Sequence, residues 1–320
     1  VPGYAGDQYQ DISETFRKDP EGVLLNYPYA EWYYNSLRIP GSQTERFHKK
    51  HYGNRDYFSF QKDFEEENME FSVNSWVDLI RKAGARYVIF VTKHHDGYNL
   101  WPTKFPNPKI PEYYSKRDFT GELTECVRNA GLKMGLYYSG AFDWSFKNEF
   151  PITDAKSYLY HLDMSEEYVS YAVCQIKELI DRYHPSVLWN DIAFPQGYDL
   201  KKLFAYYYNV VEDGVINDRW KQMKIPRTET EWKHFNEKNK GGAAWFPNVS
   251  GSIPHYDFIT PEYQSFPEIQ EKKWECTRGI GRSFGYNRME VGADYLSGNQ
   301  IIELLIQITA KNGNLLLNIG

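Results

Sequence analysis

Short apolar runs that end in polar residues alternate with helical segments along this chain, and this alternation limits its fold most. Tyr87–Thr92, Lys133–Ser139 and Val187–Trp189 are three such runs. The helical segment Ser165–Tyr183 precedes the third run and carries its apolar residues on one side. Strands that alternate with helices form parallel sheets, whose buried strands are apolar over most of their length. The pattern therefore predicts an α/β fold with a parallel sheet.

The second half of the chain continues the pattern with shorter strands. Gly214–Trp220 and Asp257–Tyr263 each combine a strand-like run with polar residues, and the helix Ser297–Lys311 leads to a last apolar run. Polar residues after many strands favour a barrel over an open sheet, whose site collects at one switch point. We predict one catalytic barrel domain of the (β/α)8 type over residues 1–320, with the Lys- and Glu-rich residues 221–250 as a surface insertion.

The composition excludes some partners. The 320 residues include 37 Lys and Arg against 43 Asp and Glu, and this negative balance argues against a nucleic-acid partner. No run of about 18 apolar residues is present, so no membrane span is expected. Aromatic residues make up 17% of the chain and favour a carbohydrate ligand, because flat rings suit the faces of sugars; the alternative is that they fill ordinary cores and interfaces. Oligomer formation and the cellular compartment stay open.

Asp191 is the strongest catalytic candidate. It ends the buried run Val187–Trp189, where a charge is costly, and the active sites of barrel enzymes lie at the carboxyl ends of such strands. We predict that Asp191 is a nucleophile, and the alternative is an aspartate that caps the following turn. Glu262 also follows a predicted strand. A retaining glycosidase needs two such carboxyl groups, about 5–5.5 Å apart, one as nucleophile and one as acid.

Several other polar residues suit a sugar site. His94 and His95 follow a strand together, and consecutive strand residues point to opposite faces, so one metal ion is hard to bind with both. Hydrogen bonds to ligand hydroxyls or to a catalytic carboxylate are the preferred interpretation, and purely structural roles are the alternative. Glu31 lies among aromatic residues and either binds sugar hydroxyls or faces water. Arg219 either orients a carboxylate or forms a surface ion pair.

Four motifs resemble those of the family 29 α-L-fucosidases. They are Ala30–Tyr33, Lys93–Gly97, Leu188–Asp191 and Gly313–Asn318, and they occur in that family's order over essentially the whole chain. The resemblance implies a barrel, a retaining double displacement that releases α-linked L-fucose from fucosylated oligosaccharides or glycoconjugates, and no cofactor or metal. Two alternatives remain: a fucose-binding protein without turnover and another retaining barrel glycosidase.

The resemblance also assigns roles residue by residue. Asp191 matches the nucleophile, and Glu262 matches the acid/base of bacterial members, with Glu31 and Glu275 as rivals. Tyr137 is the alternative to its neighbour Tyr138 at one sugar-contacting position. The sugar-contacting positions of the family match Glu31, Trp32, His94, His95, Tyr138, Trp189 and Arg219.

Two features of the family are not found in this sequence. One is the first barrel strand, which ends in an Ile-His-Trp-Gly motif, and the other is a C-terminal β-sandwich. We therefore expect a barrel that is incomplete at its N-terminus and a chain that is part of a longer enzyme. Whether the chain is active without that strand stays open, as does the linkage that it cleaves.

Overall fold

A computed structural model describes residues 20–25, 27, 29–162, 164–238, 251–287 and 290–320, and nine strands lie within these ranges. β5 and β6 form a short antiparallel pair, and the other strands are parallel to their neighbours. The strands are β1 Tyr87–Lys93, β2 Lys133–Ser139, β3 Val187–Asp191, β4 Val215–Ile216, β5 Gln222–Met223, β6 Gly251–Ser252, β7 Phe258–Ile259, β8 Lys273–Gly279 and β9 Gly313–Asn318.

Several helices begin at a residue whose side chain caps their first turn. The Ser165 side chain accepts a hydrogen bond from the Tyr168 amide, and Ser297 does the same for Gln300, as N-cap residues do. The α-helices are α1 Pro20–Leu25, α2 Tyr33–Leu37, α3 Gln43–Tyr52, α4 Gln61–Glu67, α5 Val73–Lys82, α6 Phe119–Asn129, α7 Ala155–Leu162, α8 Glu166–Tyr183, α9 Leu200–Val210, α10 Glu229–Lys238 and α11 Gly298–Thr309. Short 3-10 helices cover Ala30–Trp32, Tyr57–Phe60 and Gly292–Asp294.

The parallel strands curve into a barrel. They run in the order β1-β2-β3-β4 and β7-β8-β9, and a parallel bridge between Asn217 and Phe258 joins the two groups. Ile89 of β1 and Leu316 of β9 belong to one apolar cluster, so the two ends of the array face each other across a shared interior. The predicted α/β barrel is confirmed. Within the described residues β1 and β9 are not paired with each other.

Alternate residues of each strand point to opposite layers. Tyr137 and Trp189 belong to the interior cluster, whereas Met134, Leu136 and Leu188 belong to the larger cluster beneath the helices. This alternation follows from the two-residue period of a strand. The alternation therefore decides which of two consecutive residues, such as Tyr137 and Tyr138, points into the barrel.

An irregularity at the end of β1 changes this alternation. Val91 pairs with Tyr137, but Lys93, and not Thr92, pairs with Tyr138. The extra residue shifts the order of inward and outward side chains, as a β-bulge does. Lys93 consequently points to the outer layer, where its ammonium lies 4.2 Å from the Tyr138 ring centroid.

The later strands are shorter than predicted. β4 contains only two residues of the predicted strand Gly214–Trp220, and β7 contains only two of Asp257–Tyr263. The predicted surface insertion, residues 221–250, includes β5 and α10, and Met223 is buried. Residues 239–250 of that segment lie outside the described part of the chain. None of the described helices combines the length and the apolar composition that a membrane span requires.

Candidate active site

Asp191 lies at the carboxyl end of β3, and both of its side-chain oxygens accept hydrogen bonds. Tyr137 Oη donates to Oδ2 at 2.8 Å, and Arg219 Nη1 donates to Oδ1 at 2.9 Å. The Asp191 side chain is 13% exposed, so the carboxylate is held by these donors and still reachable from solvent. A carboxylate fixed in this way is oriented for attack on a bound electrophile.

The turn after Asp191 is strained and is held by two asparagines. Ile192 and Ala193 adopt φ values of 53° and 65°, which side chains with a Cβ rarely adopt. Asn190 Nδ2 donates to the carbonyl oxygens of Ala193 and Arg219, both at 2.8 Å. Asn217 bonds the backbone N–H and C=O of Asn190 from the next strand position. The network fixes the turn and with it the direction of Asp191.

Arg219 connects Asp191 to Glu262. Its Nη1 lies 2.9 Å from Asp191 Oδ1 and 2.6 Å from Glu262 Oε1. The two carboxylate oxygens are therefore separated by at most the sum of these distances, about 5.5 Å. The Arg219 guanidinium also donates hydrogen bonds to Thr260, to its hydroxyl oxygen at 2.8 Å and to its carbonyl oxygen at 3.0 Å. The Glu262 side chain is 45% exposed and has freedom to turn.

Glu31 forms a third acidic group beside this pair. It lies in the 3-10 helix Ala30–Trp32, and its Oε2 accepts a hydrogen bond from the Gly285 amide at 3.1 Å. Burial raises the pKa of Glu31 to about 7, although the hydrogen bonds from its own amide and from the Gly285 amide lower this pKa. The negative charges of Glu262 and Asp191 raise this pKa further. Glu31 therefore carries a proton in mildly acidic solution.

Replacing Glu31 by glutamine should change how stability depends on pH. The folded-state pKa of Glu31, about 7, lies above its ordinary value of 4.5, so the folded chain binds more protons than the unfolded chain between these values. The free energy of unfolding of the parent should therefore fall as pH rises through this window, relative to Glu31→Gln, by up to about 3 kcal/mol. Urea unfolding at several pH values measures the difference, and parallel curves would contradict the prediction.

His94 and His95 lie side by side after β1, and His95 is buried. Their ring centroids are 3.9 Å apart, and His95 Nδ1 lies 2.7 Å from Ser139 Oγ. Burial lowers the pKa of His94 to about 4 and that of His95 well below its usual range. Both imidazoles are therefore neutral at pH 7 and can donate or accept hydrogen bonds. Within the described residues, no group of His, Cys, Asp and Glu has the arrangement of a metal site.

Tyr138 lies away from this group, whereas its neighbour Tyr137 lies within it. The Tyr138 side chain is fully buried under the helices, where its hydroxyl donates to Gln175 Oε1 at 2.9 Å. Tyr137 points inward and contacts both Asp191 and the His94 ring. The reason is the alternation along β2, which sends Met134, Leu136 and Tyr138 to the outer layer.

The two predicted sugar-binding tryptophans are both largely buried. Tyr27 stacks on Trp32 with a centroid distance of 4.5 Å, and the Trp32 ring meets His95 edge-on at 5.7 Å. Trp189 is 3% exposed, with the Tyr137 ring stacked at 5.3 Å. The Arg219 guanidinium also lies over the Trp189 ring, 4.7 Å from its centroid. These positions leave little of either ring free for stacking on a ligand.

Glu275, the other rival acid, lies inside the barrel. It is 2% exposed, and its two oxygens accept hydrogen bonds from Trp189 Nε1 at 2.9 Å and from Tyr87 Oη at 2.6 Å. Among the predicted residues, the structure thus brings Asp191, Glu262 and Arg219 into direct contact. Glu31, Trp32, His94, His95 and Trp189 lie around these three, and Tyr138 lies apart.

Sequence reasoning missed two tyrosines near the carboxylates. The charges of Glu262 and Asp191 contribute to raised pKa values of Tyr27 and Tyr158, for which burial is the larger cause. Tyr27 precedes the first matched motif, and Tyr158 lies in the helix α7. Neither position carries a local sequence pattern, so only the fold brings them to the site.

Comparisons with known proteins agree on one family. The family model described as Alpha-L-fucosidase matches residues 14–320. The chain is similar to an α-L-fucosidase of Dictyostelium discoideum, with 32% identity over 332 residues, and to the tissue α-L-fucosidase of Bos taurus, with 29% identity over 301 residues. Its structure is similar to that of the Thermotoga maritima α-fucosidase in complex with a mechanism-based inhibitor, with 40% identity and a TM-score of 0.80.

The matches cover this chain more fully than they cover the relatives. All of this chain is matched by the Dictyostelium and Thermotoga proteins, and 90% of it by the bovine one. The match covers 65% of the Dictyostelium protein, 64% of the Thermotoga chain and 56% of the bovine protein. The chain therefore spans less than two thirds of the length of these relatives.

Proposed function

The chain belongs to the α-L-fucosidase family, and we propose that it is the catalytic barrel of a retaining exo-acting α-L-fucosidase. Its substrate is a fucosylated oligosaccharide or glycoconjugate. Asp191 is the nucleophile, and Glu262 is the acid/base. The proposal extends to this chain the activity for which the Dictyostelium, bovine and Thermotoga proteins are named.

The observation that supports this mechanism most strongly is that the Asp191 and Glu262 carboxylates both contact the same nitrogen, Nη1 of Arg219. The shared nitrogen limits the separation of the two carboxylate oxygens to about 5.5 Å. A retaining glycosidase has its carboxyl groups about 5–5.5 Å apart, whereas an inverting enzyme needs about 6.5–9.5 Å to admit a water molecule. The geometry therefore supports direct attack by a carboxylate on the sugar.

In the first step, a carboxylate oxygen of Asp191 attacks the anomeric carbon of the bound fucose. The glycosidic C–O bond breaks, and Glu262, protonated at this stage, gives its proton to the leaving oxygen. This role requires Glu262 to leave Arg219 and turn toward the leaving group, which its 45% exposed side chain permits. Arg219 and Tyr137 keep the Asp191 carboxylate oriented during the attack.

In the second step, water releases the sugar. Esterification removes the negative charge of Asp191, and Glu262, now ionised, takes a proton from the attacking water. The C–O bond to Asp191 breaks, and fucose leaves with its original anomeric configuration. The neutral imidazoles of His94 and His95, and the Glu31 carboxyl, bind the sugar hydroxyls as hydrogen-bond partners. Trp32 supports His95 from the side through its edge-on contact.

The proposal is tested with a panel of 4-nitrophenyl glycosides, with NMR of the first-formed sugar. We expect hydrolysis of the α-L-fucoside and of no other member, with α-L-fucose as the first product. Release of β-L-fucose would contradict the retaining mechanism. Turnover of a different glycoside would favour another barrel glycosidase. Fucose binding by the folded protein without any hydrolysis would favour the binding-protein alternative.

Replacing Glu262 by alanine should affect substrates according to their leaving groups. A poor leaving group such as an alkyl alcohol needs a proton from the acid, whereas an activated aryl group leaves almost without one. We expect kcat/KM to fall by about 10³-fold for a fucosylated disaccharide and by much less for 2,4-dinitrophenyl fucoside.

The matched comparison is Glu31→Ala in the same assays. Under the proposed assignment, Glu31→Ala lowers kcat/KM by a similar factor for both substrates, because a hydroxyl contact is lost in each. A leaving-group dependence that follows Glu31→Ala, and not Glu262→Ala, would move the acid role to Glu31.

A further inference from the structure

Four planar side chains lie in a row across the mouth of the barrel. His94 follows β1, Tyr137 lies in β2, Trp189 lies in β3, and Arg219 follows β4. The His94 and Tyr137 rings are parallel within 3° at 5.5 Å, and the Tyr137 and Trp189 rings are stacked at 5.3 Å. The Arg219 guanidinium also lies over the Trp189 ring, 4.7 Å from its centroid. We call this row of four residues the planar stack.

The planar stack supplies both donors to the nucleophile. Tyr137 and Arg219, the two neighbours of Trp189 in the stack, bond to the two different oxygens of Asp191. A shift or rotation of the Trp189 ring would therefore move both donors at once. Catalysis depends on such positions to a fraction of an ångström, since a misplacement of about 1 Å costs on the order of 10²-fold in rate.

Glu275 fixes the Trp189 ring from β8. The indole N–H of Trp189 donates to Glu275 Oε1, and Tyr87 Oη of β1 donates to Oε2. Burial raises the pKa of Glu275, while the bonds from Tyr87 and Trp189 lower it. An apolar side chain would fill this interior without that cost, but it would give the indole N–H no acceptor. The Glu275 carboxyl group therefore serves to hold the Trp189 ring in one orientation.

We propose that Glu275 is a positioning residue for the nucleophile, which it orients by holding Trp189 in the planar stack. Within the described residues Glu275 forms no hydrogen bond to Asp191, and its two oxygens already accept bonds from Trp189 and Tyr87. The inference rests on the proposed function, because it concerns the rate of that reaction. It also removes Glu275 from the rivals for the acid/base role.

The test compares Glu275→Leu, Trp189→Phe and the double variant on an activated and a poor fucoside substrate. Each single change removes the same hydrogen bond, so each should lower kcat by on the order of 10²-fold, by the same factor on both substrates. The double variant should be no slower than the slower single variant, because the two residues act as one unit. Glu275→Gln, whose amide oxygen can still accept from the indole, should lose less than about tenfold.

Glu178 and Trp101 provide a matched control outside the barrel. Trp101 Nε1 donates to Glu178 Oε2 at 3.0 Å, and both residues are buried in the layer between helices and strands. Glu178→Leu and Trp101→Phe should lower the melting temperature and leave kcat of the folded protein unchanged. Equal kcat losses in this control pair would show a general packing effect and overturn the proposal.

Other outcomes separate the inference from the proposed function. A loss in Glu275→Leu that is much larger for the poor leaving group, or that azide reverses, would make Glu275 a catalytic residue and overturn the positioning role. Losses that multiply in the double variant would also overturn it. If Glu275→Leu does not fold, Trp189→Phe and Glu275→Gln answer the same question. An inactive parent overturns the proposed function itself, whereas an active parent with fully active variants overturns only the inference.

Discussion

Replacing Asp191 by glycine is expected to lower kcat for 4-nitrophenyl α-L-fucoside by at least about 10⁴-fold. The substitution removes the atom that would form the covalent bond to the anomeric carbon, and neither Tyr137 nor Arg219 can replace it. It also leaves space at the end of β3 without changing the strand itself. Steady-state rates with this activated substrate, for which acid assistance matters little, isolate the nucleophile from the acid.

Azide should partly restore the activity of Asp191→Gly, because a small anion can enter the vacated space and attack the sugar from the same side. The product would then be a β-L-fucosyl azide, which NMR identifies. Asp213→Gly is the control, since Asp213 pairs with Lys133 at the opposite, amino end of β2 and its side chain is 64% exposed. Near-full activity of Asp191→Gly without azide would show that another residue is the nucleophile.

The parts of the fold that the sequence predicts best are those in which local pattern and burial agree. β1, β2 and β3 are continuous apolar runs with clear breaks on both sides, and they lie where the runs predict. β4 and β7 retain only two residues each of their predicted strands. Side-chain hydrogen bonds help to hold these short strands. Asp257 Oδ2, for example, accepts a hydrogen bond from the Ile216 amide of β4, and such bonds leave no periodic pattern in a sequence.

The candidate site shows the same division between local and non-local information. Asp191 and Glu262 could be singled out because an acid follows each predicted strand. The choice between Tyr137 and Tyr138 was also contained in the sequence, because Met134, Leu136 and Tyr138 share the apolar face of β2. Glu275 could not be assigned in this way, since its partners Tyr87 and Trp189 come from distant strands.

Lys93 is a residue whose position the sequence pattern gives wrongly. Regular alternation from Val91 would place Lys93 inside the barrel beside Asp191, but the bulge at the end of β1 turns it outward. The sequence contains no local signal for this extra residue. The outward position pairs Lys93 with Asp143, a residue from the loop after β2 that sequence analysis had not selected.

Replacing Lys93 by methionine should lower the free energy of unfolding by about 3–5 kcal/mol. Lys93 Nζ lies 2.9 Å from Asp143 Oδ2, and neither side chain is exposed to solvent. Tyr168 Oη lies 3.2 Å from the ammonium, and the Tyr138 ring covers it. Methionine fills most of this space but leaves the Asp143 carboxylate buried without its cation, and an unpaired buried charge is more costly than the lost attraction. Urea unfolding at pH 7 measures the loss.

A double replacement distinguishes the unpaired charge from lost packing. Lys93→Met with Asp143→Asn removes both charges and keeps the volume of both side chains, so it should be more stable than either single variant. Lys133→Met is the control at the surface pair with Asp213, where solvent screens the interaction, and it should change the stability little. If the two single losses add in the double variant, packing and not charge pairing accounts for them.

The ion pair of Lys93 and Asp143 also supports the two histidines. Lys93 directly precedes His94 in the sequence, and the amide of Trp144, the residue after Asp143, donates a hydrogen bond to the His95 carbonyl at 2.7 Å. Lys93→Met should therefore also loosen the two imidazoles and lower turnover before the protein unfolds.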